Sequence, residues 1–127
     1  MTVVLDAGAL VAVERGDRDV VAIIERERRA GRMPRTHGGV VGQVWRGAGP
    51  RQAVLARLLA GVDVVPLDED FGRRAGVLLA RSGARDVIDA AVVLLAAADL
   101  DEILTSDPRD IAALVAAAGT HADVIPV

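Results

Sequence analysis

Cysteine is absent from the 127 residues, and so is lysine: all 15 basic residues are arginine. Without cysteine there is no disulfide, no thiolate metal site and no cysteine nucleophile. The all-arginine usage, beside abundant alanine, valine and glycine, fits a GC-rich genome better than a chemical demand. Aromatic residues make up 2%, as Phe71 and Trp45, which argues against a base-stacking platform. The two histidines, His37 and His121, are far apart and match neither a zinc site nor a nucleophile triad. Uninterrupted apolar stretches such as residues 92–98 are far shorter than the ~20 residues of a membrane span, so no membrane is expected. No charged-then-apolar leader is visible before Asp6, which makes a cytoplasmic location the default expectation. The net charge is -3, so a polyanion would have to be met by a local arginine patch or through metal ions.

Hydrophobic residues account for 52% of the chain and mean hydropathy is +0.36, enough for one folded core. No repeat or linker divides it, so residues 1–127 form a single domain. Strands are expected at residues 2–5, 33–36, 62–66, 103–105 and 124–127, the second weakened by Pro34. Helices are expected at 9–14, 17–30, 40–46, 51–60, from 68 to Ser82-Gly83, at 86–98 and from 107 to Gly119. Strands that are nearly all apolar and alternate with helices specify a parallel sheet covered on both faces.

In such sheets, ligands bind at the carboxyl ends of strands. Asp6 directly follows the first strand, and Asp107 follows the strand at 103–105 after one residue. Asp86 and Asp89 open the apolar helix at i, i+3, on one face. Four carboxylates converging there would repel one another unless a hard cation such as Mg²⁺ or Mn²⁺ lay between them. Such an ion activates water and neutralises charge on a phosphoryl group, which implies phosphodiester hydrolysis. Each aspartate also fits a plain helix cap, but capping does not explain why all of them cluster at strand ends and on the central helix. Trp45 is read as a core or interface residue, and His37 as the start of a helix.

Four stretches in order carry a resemblance: VVLDAGALVAVERG with Asp6, VVGQVWRG with Gln43, DVIDAAVVLLAAADL with Asp89, and ILTSDPRDIAAL with Thr105, Ser106 and Asp107. Across its whole length the sequence resembles PIN-domain proteins, in particular VapC-type toxin ribonucleases of bacterial toxin–antitoxin pairs. The resemblance implies a three-layer α/β/α sandwich with a central parallel sheet. It implies a Mg²⁺- or Mn²⁺-dependent endoribonuclease with Asp6, Asp89 and Asp107 as metal ligands. Asp86 and Gln43 complete the catalytic set, and Arg46, Thr105 and Ser106 contact substrate. Arg46 is expected on RNA phosphate or paired with a carboxylate. The implied partners are a cognate antitoxin laid over the acidic groove, RNA, and a second copy of the chain in a homodimer. Gln43 stands where the family carries its second acid, and Ala7-Gly8 replaces the hydroxyl or Asn that often follows the first Asp. Gln43 motivates the alternative: a catalytically weak or inactive PIN-fold module that binds RNA or a protein partner.

Overall fold

The computed structural model describes residues 1–127. Its three-residue β1 (Val3–Leu5) is completely buried, as an all-apolar, β-branched run requires. The chain then runs α1 (Ala7–Glu14), α2 (Arg18–Arg29), β2 (Arg35–His37), α3 (Gly38–Val44), α4 (Pro50–Leu59) and β3 (Asp63–Val65). It continues with α5 (Glu69–Ser82), α6 (Val87–Asp99), β4 (Glu102–Thr105), α7 (Pro108–Ala117) and β5 (Val124–Pro126). The five strands form one sheet in the order β3-β2-β1-β4-β5, and every pairing is parallel. The chain builds outward from β1 to β2 and β3 on one side, then returns to add β4 and β5 on the other. The β1/β4 border is therefore the topological switch point, where open parallel sheets place their ligands.

One helical layer holds α1 packed against α2, α3 and α4, and the other holds α5, α6 and α7 packed on one another. This is the expected three-layer sandwich. The central helix α6 is apolar almost all round, and Ala90–Val93, Leu95 and Ala96 are all buried between the sheet and its neighbours. In contrast, α2 shows the sequence's charged run Glu25–Arg29 to solvent, except that Glu27 is buried and paired with Arg26 and Arg32.

The boundaries differ from the sequence reading in three informative places. Helix α1 begins at Ala7 rather than residue 9, because Asp6 caps it and leaves no intervening loop. Strand β2 lies at Arg35–His37 rather than 33–36: Pro34 cannot donate to a ladder, and the register pairs His37 with Val65. Helix α3 ends at Val44, so Trp45 falls outside it with an extended backbone and is 41% exposed, not part of the core.

Leu104, fully buried on β4 opposite Leu5, anchors the switch point. Leu104→Ala is expected to cost about 2–5 kcal/mol through lost burial and the cavity left behind, read as a lowered midpoint in urea unfolding.

Candidate functional site

Asp6 leaves β1 in extended conformation and turns the chain directly into α1. Its Oδ1 accepts the Ala9 N–H at 2.9 Å, the bond that caps α1. Its Oδ2 accepts the Ser106 N–H at 3.3 Å, across the β1/β4 border. The Thr105 hydroxyl also donates to this carboxylate, and the Thr105 Oγ1 in turn accepts the Asp107 N–H at 2.9 Å. Burial pushes the Asp6 carboxyl above the ordinary range, the Thr105, Ala9 and Ser106 bonds pull it back, and Asp107 adds repulsion.

The other acids divide by what their oxygens already do. Asp86 caps α6, its Oδ1 accepting the N–H groups of Ile88 at 2.9 Å and Asp89 at 3.2 Å. Asp107 sits at the N-cap of α7 but makes no side-chain cap bond; it is exposed and its carboxylate is uncommitted. The plain capping account therefore holds for Asp6 and Asp86 and fails for Asp107. Asp89, half-buried in the first turn of α6, is pushed up to about 6, first by burial and then by Asp86, Asp6, Asp107 and Asp110. Asp110 was missed as a site residue by the sequence reading. Its signal was the i, i+3 step from Asp107, the same step that links Asp86 to Asp89.

Two hollows flank this acidic centre. One, of about 310 Å³, is lined by Arg85, Asp86, Asp89 and Asp110 together with the α5–α6 turn. Arg85 is exposed there and joins no salt bridge. The other, of about 670 Å³, is lined by Gly8, Arg15, Gln43 and Ser106 among others. Here α1 lies hard against the β4–α7 link, and a Cβ added to Gly8 would strike the Ser106 side chain. The close approach of α1 to Ser106 thus requires glycine at position 8.

The structure brings Asp6, Asp86, Asp89, Thr105, Ser106 and Asp107 together at one end of the sheet. Gln43 and Ser106 share the larger hollow, on the α1 side, away from the groove that holds Asp89. Two expectations need correction. Thr105 is fully buried and is occupied with Asp6 and Asp107, so it positions acids rather than touching substrate. Arg46, just past α3, folds back on that helix's C-terminal end, donating to the carbonyls of Gly42 (3.3 Å), Gln43 (3.0 Å) and Trp45 (2.7 Å). It pairs with no carboxylate, because the open C-terminus of α3 offers its guanidinium nearer acceptors.

The donor chemistry fits a hard divalent cation: carboxylate groups, that of Asp107 uncommitted, and that of Asp89 held high by burial and then by its like-charged neighbours. No three acidic or imidazole side chains close into a ready-made cluster. The convergence is looser than the sequence reading expected.

No protein-family model matches the sequence. No curated protein matches it either. Solved structures do. A chain of VapBC2 from Rickettsia felis, bound to a DNA fragment from their promoter, superposes with a TM-score of 0.72 at 12% identity, covering 100% of this chain and 99% of that one. A chain of FitAB bound to an IR36 DNA fragment gives a TM-score of 0.65 at 11% identity, covering 98% and 94%. The chain has the PIN-like fold. In this PIN-like chain the acids stand at the switch point of the sheet, where the topology places a ligand.

The raised Asp89 carboxyl has a signed consequence. Its folded value, about 6, lies above the ordinary 3.8, so its ionisation opposes folding above pH 6 and the strain is relieved as pH falls toward 3.8. Buried His37, with its value lowered, works in the opposite sense, so the informative quantity is a difference between proteins. Without metal, Asp89→Asn should melt above the wild type near pH 7.5, by about 1 kcal/mol once solvent screening is allowed for. That gain should shrink toward pH 5; a constant difference in thermal melts would place Asp89 outside the acidic field.

Proposed function

We propose that this PIN-like chain is a Mg²⁺- or Mn²⁺-dependent endoribonuclease and the toxin component of a toxin–antitoxin pair. The observation that carries the reading is the gathering of Asp6, Asp86, Asp89, Asp107 and Asp110 at the switch point of the sheet, where burial and then the neighbouring acids push the Asp89 carboxyl up to about 6. Such an array is unfavourable by itself and becomes favourable around a cation. Asp6, Asp89 and Asp107 would hold the ion, which when bound supplies water activation and neutralises charge on the phosphoryl oxygens. Asp6 is orientated by its bonds to Ala9, Ser106 and Thr105, and Asp107 keeps its oxygens free. Asp86 fixes the first turn of α6 and adds negative charge to the groove. RNA would lie along the two hollows, with Arg85 on one side and Arg15, Ser106 and Gln43 on the other offering contacts to phosphate and ribose.

The fold neighbours belong to the VapBC2 and FitAB complexes, which supports an antitoxin as the protein partner. Exposed Trp45 and Val21 supply apolar surface for a second copy of the chain. No helix is long and apolar enough to cross a membrane. One observation favours the second reading, a binding module without catalysis: Gln43, exposed in its hollow, brings no charge to a site that has no closed ligand cluster.

Three measurements test this. Millimolar Mn²⁺ should raise the melting temperature of the wild type by several degrees, and Asp89→Asn should lose most of the rise. RNA should be cleaved only with metal, and Asp6→Asn should abolish cleavage; a metal shift without cleavage supports the binding module, and no shift removes the metal site. Light scattering at tens of micromolar should give the mass of a dimer, and a monomer mass overturns that part of the proposal.

A further inference from the structure

We propose that His37 is a positioning residue for Asp89: its ring ties the carboxyl end of β2 to the first turn of α6 and so sets where the Asp89 carboxylate stands. The proposal rests on Asp89 being a metal-holding residue for its functional meaning, and on geometry alone for the tie. His37 is fully buried. Its Nδ1 accepts the Gly39 N–H at 3.1 Å, the bond that caps α3. A nitrogen that accepts carries no proton, so the proton resides on Nε2, which donates to the Ile88 carbonyl at 3.0 Å. The Phe71 ring holds the imidazole edge-on, with centroids 5.8 Å apart. Burial, which lowers the affinity of the ring for a second proton, keeps it in the neutral form this pattern requires.

Ile88 is the residue before Asp89, and its own N–H is held by Asp86 Oδ1 at 2.9 Å. The first turn of α6 is thus gripped from both ends, by Asp86 below and His37 above. Gly39 completes the contact: a Cβ there would strike the Ile88 Cδ1 and His37 Cε1 atoms, so the start of α3 seats directly on Ile88. A helix cap alone does not call for histidine, since Ser, Thr, Asp or Asn caps with fewer atoms and less burial. The second ring nitrogen, aimed at α6, accounts for the choice. Partners that orient ligands from outside the ligand shell typically change metal affinity tenfold or more when removed.

Two isosteres separate the two nitrogens. His37→Asn places an amide oxygen near the Nδ1 position, keeping the cap on α3 and losing the tie to Ile88. His37→Gln places an amide N–H near the Nε2 position, keeping the tie and losing the cap. Mn²⁺ titration by calorimetry near pH 7.5 should show about tenfold weaker binding for His37→Asn and binding within about twofold of wild type for His37→Gln. Hydrogen exchange at the Ile88 and Asp89 amides should accelerate in His37→Asn only. Equal losses in both variants, or a larger loss in His37→Gln, would overturn the tie. If the wild type binds no Mn²⁺, the metal reading of Asp89 fails while exchange at the two amides still decides the tie. Nitrogen NMR of the wild-type imidazole gives a reading that needs no variant: the proton must be on Nε2, and a proton on Nδ1 would overturn the proposal.

Discussion

Everything at the acidic end of the molecule depends on how one buried carboxylate is satisfied. Asp6 is 3% exposed and sits where β1 ends, so its two oxygens have to find partners inside the fold. They find three donors: the Ala9 N–H of α1, the Thr105 hydroxyl at the end of β4 and the Ser106 N–H of the link that follows. These bonds start α1 at once, leaving no loop, and they lock the two strands that flank the switch point. Through Thr105 they also orient the Asp107 backbone. Gly8 is part of the same constraint, because only a residue without Cβ lets α1 approach Ser106 this closely.

Carboxylates elsewhere in the chain show what ordinary structural acids look like. At the amino ends of the strands, Asp101 is fully buried, accepts the Thr2 N–H at 2.7 Å and lies 3.7 Å from Arg35. Arg35 also meets Asp63 and Asp99. There, three carboxylates share one guanidinium, and the buried Asp101 Oδ2 has that charge near it but no hydrogen-bond donor. At the carboxyl ends, Asp89 has four acidic neighbours and no arginine in contact. Arg85 lines the same groove without closing on any of them. The two ends of one sheet thus differ in whether a guanidinium reaches the carboxylates, and the end where none does is the one the topology offers to a ligand.

The order of the elements was legible in the sequence because apolar runs, caps and glycine stops are local signals. Val3, Val4 and Leu5 could only be a buried strand, and the run from Ala90 to Ala98 could only be a central helix. The acids of the candidate site were legible for a related reason: Asp6 and Asp107 follow strands, and Asp86 and Asp89 share a helix face. Asp110 was not legible as a site residue, since sequence spacing does not say which groove the first turn of α7 faces.

What each side chain does with its bonds was settled only by the tertiary structure. Thr105 and Arg46 were equally plausible substrate contacts in the sequence, yet one is buried between two aspartates and the other caps α3. His37 was read as a helix start, and its second nitrogen reaches Ile88, 51 residues away. The sequence by itself determined the strand–helix order, the parallel α/β class and the set of acids, because these follow from periodicity and neighbouring residues. Which oxygens are committed, which cation stays unpaired and which ring ties two elements together depend on contacts between distant segments, and a linear pattern carries no record of where an exposed or buried polar atom will find its nearest partner.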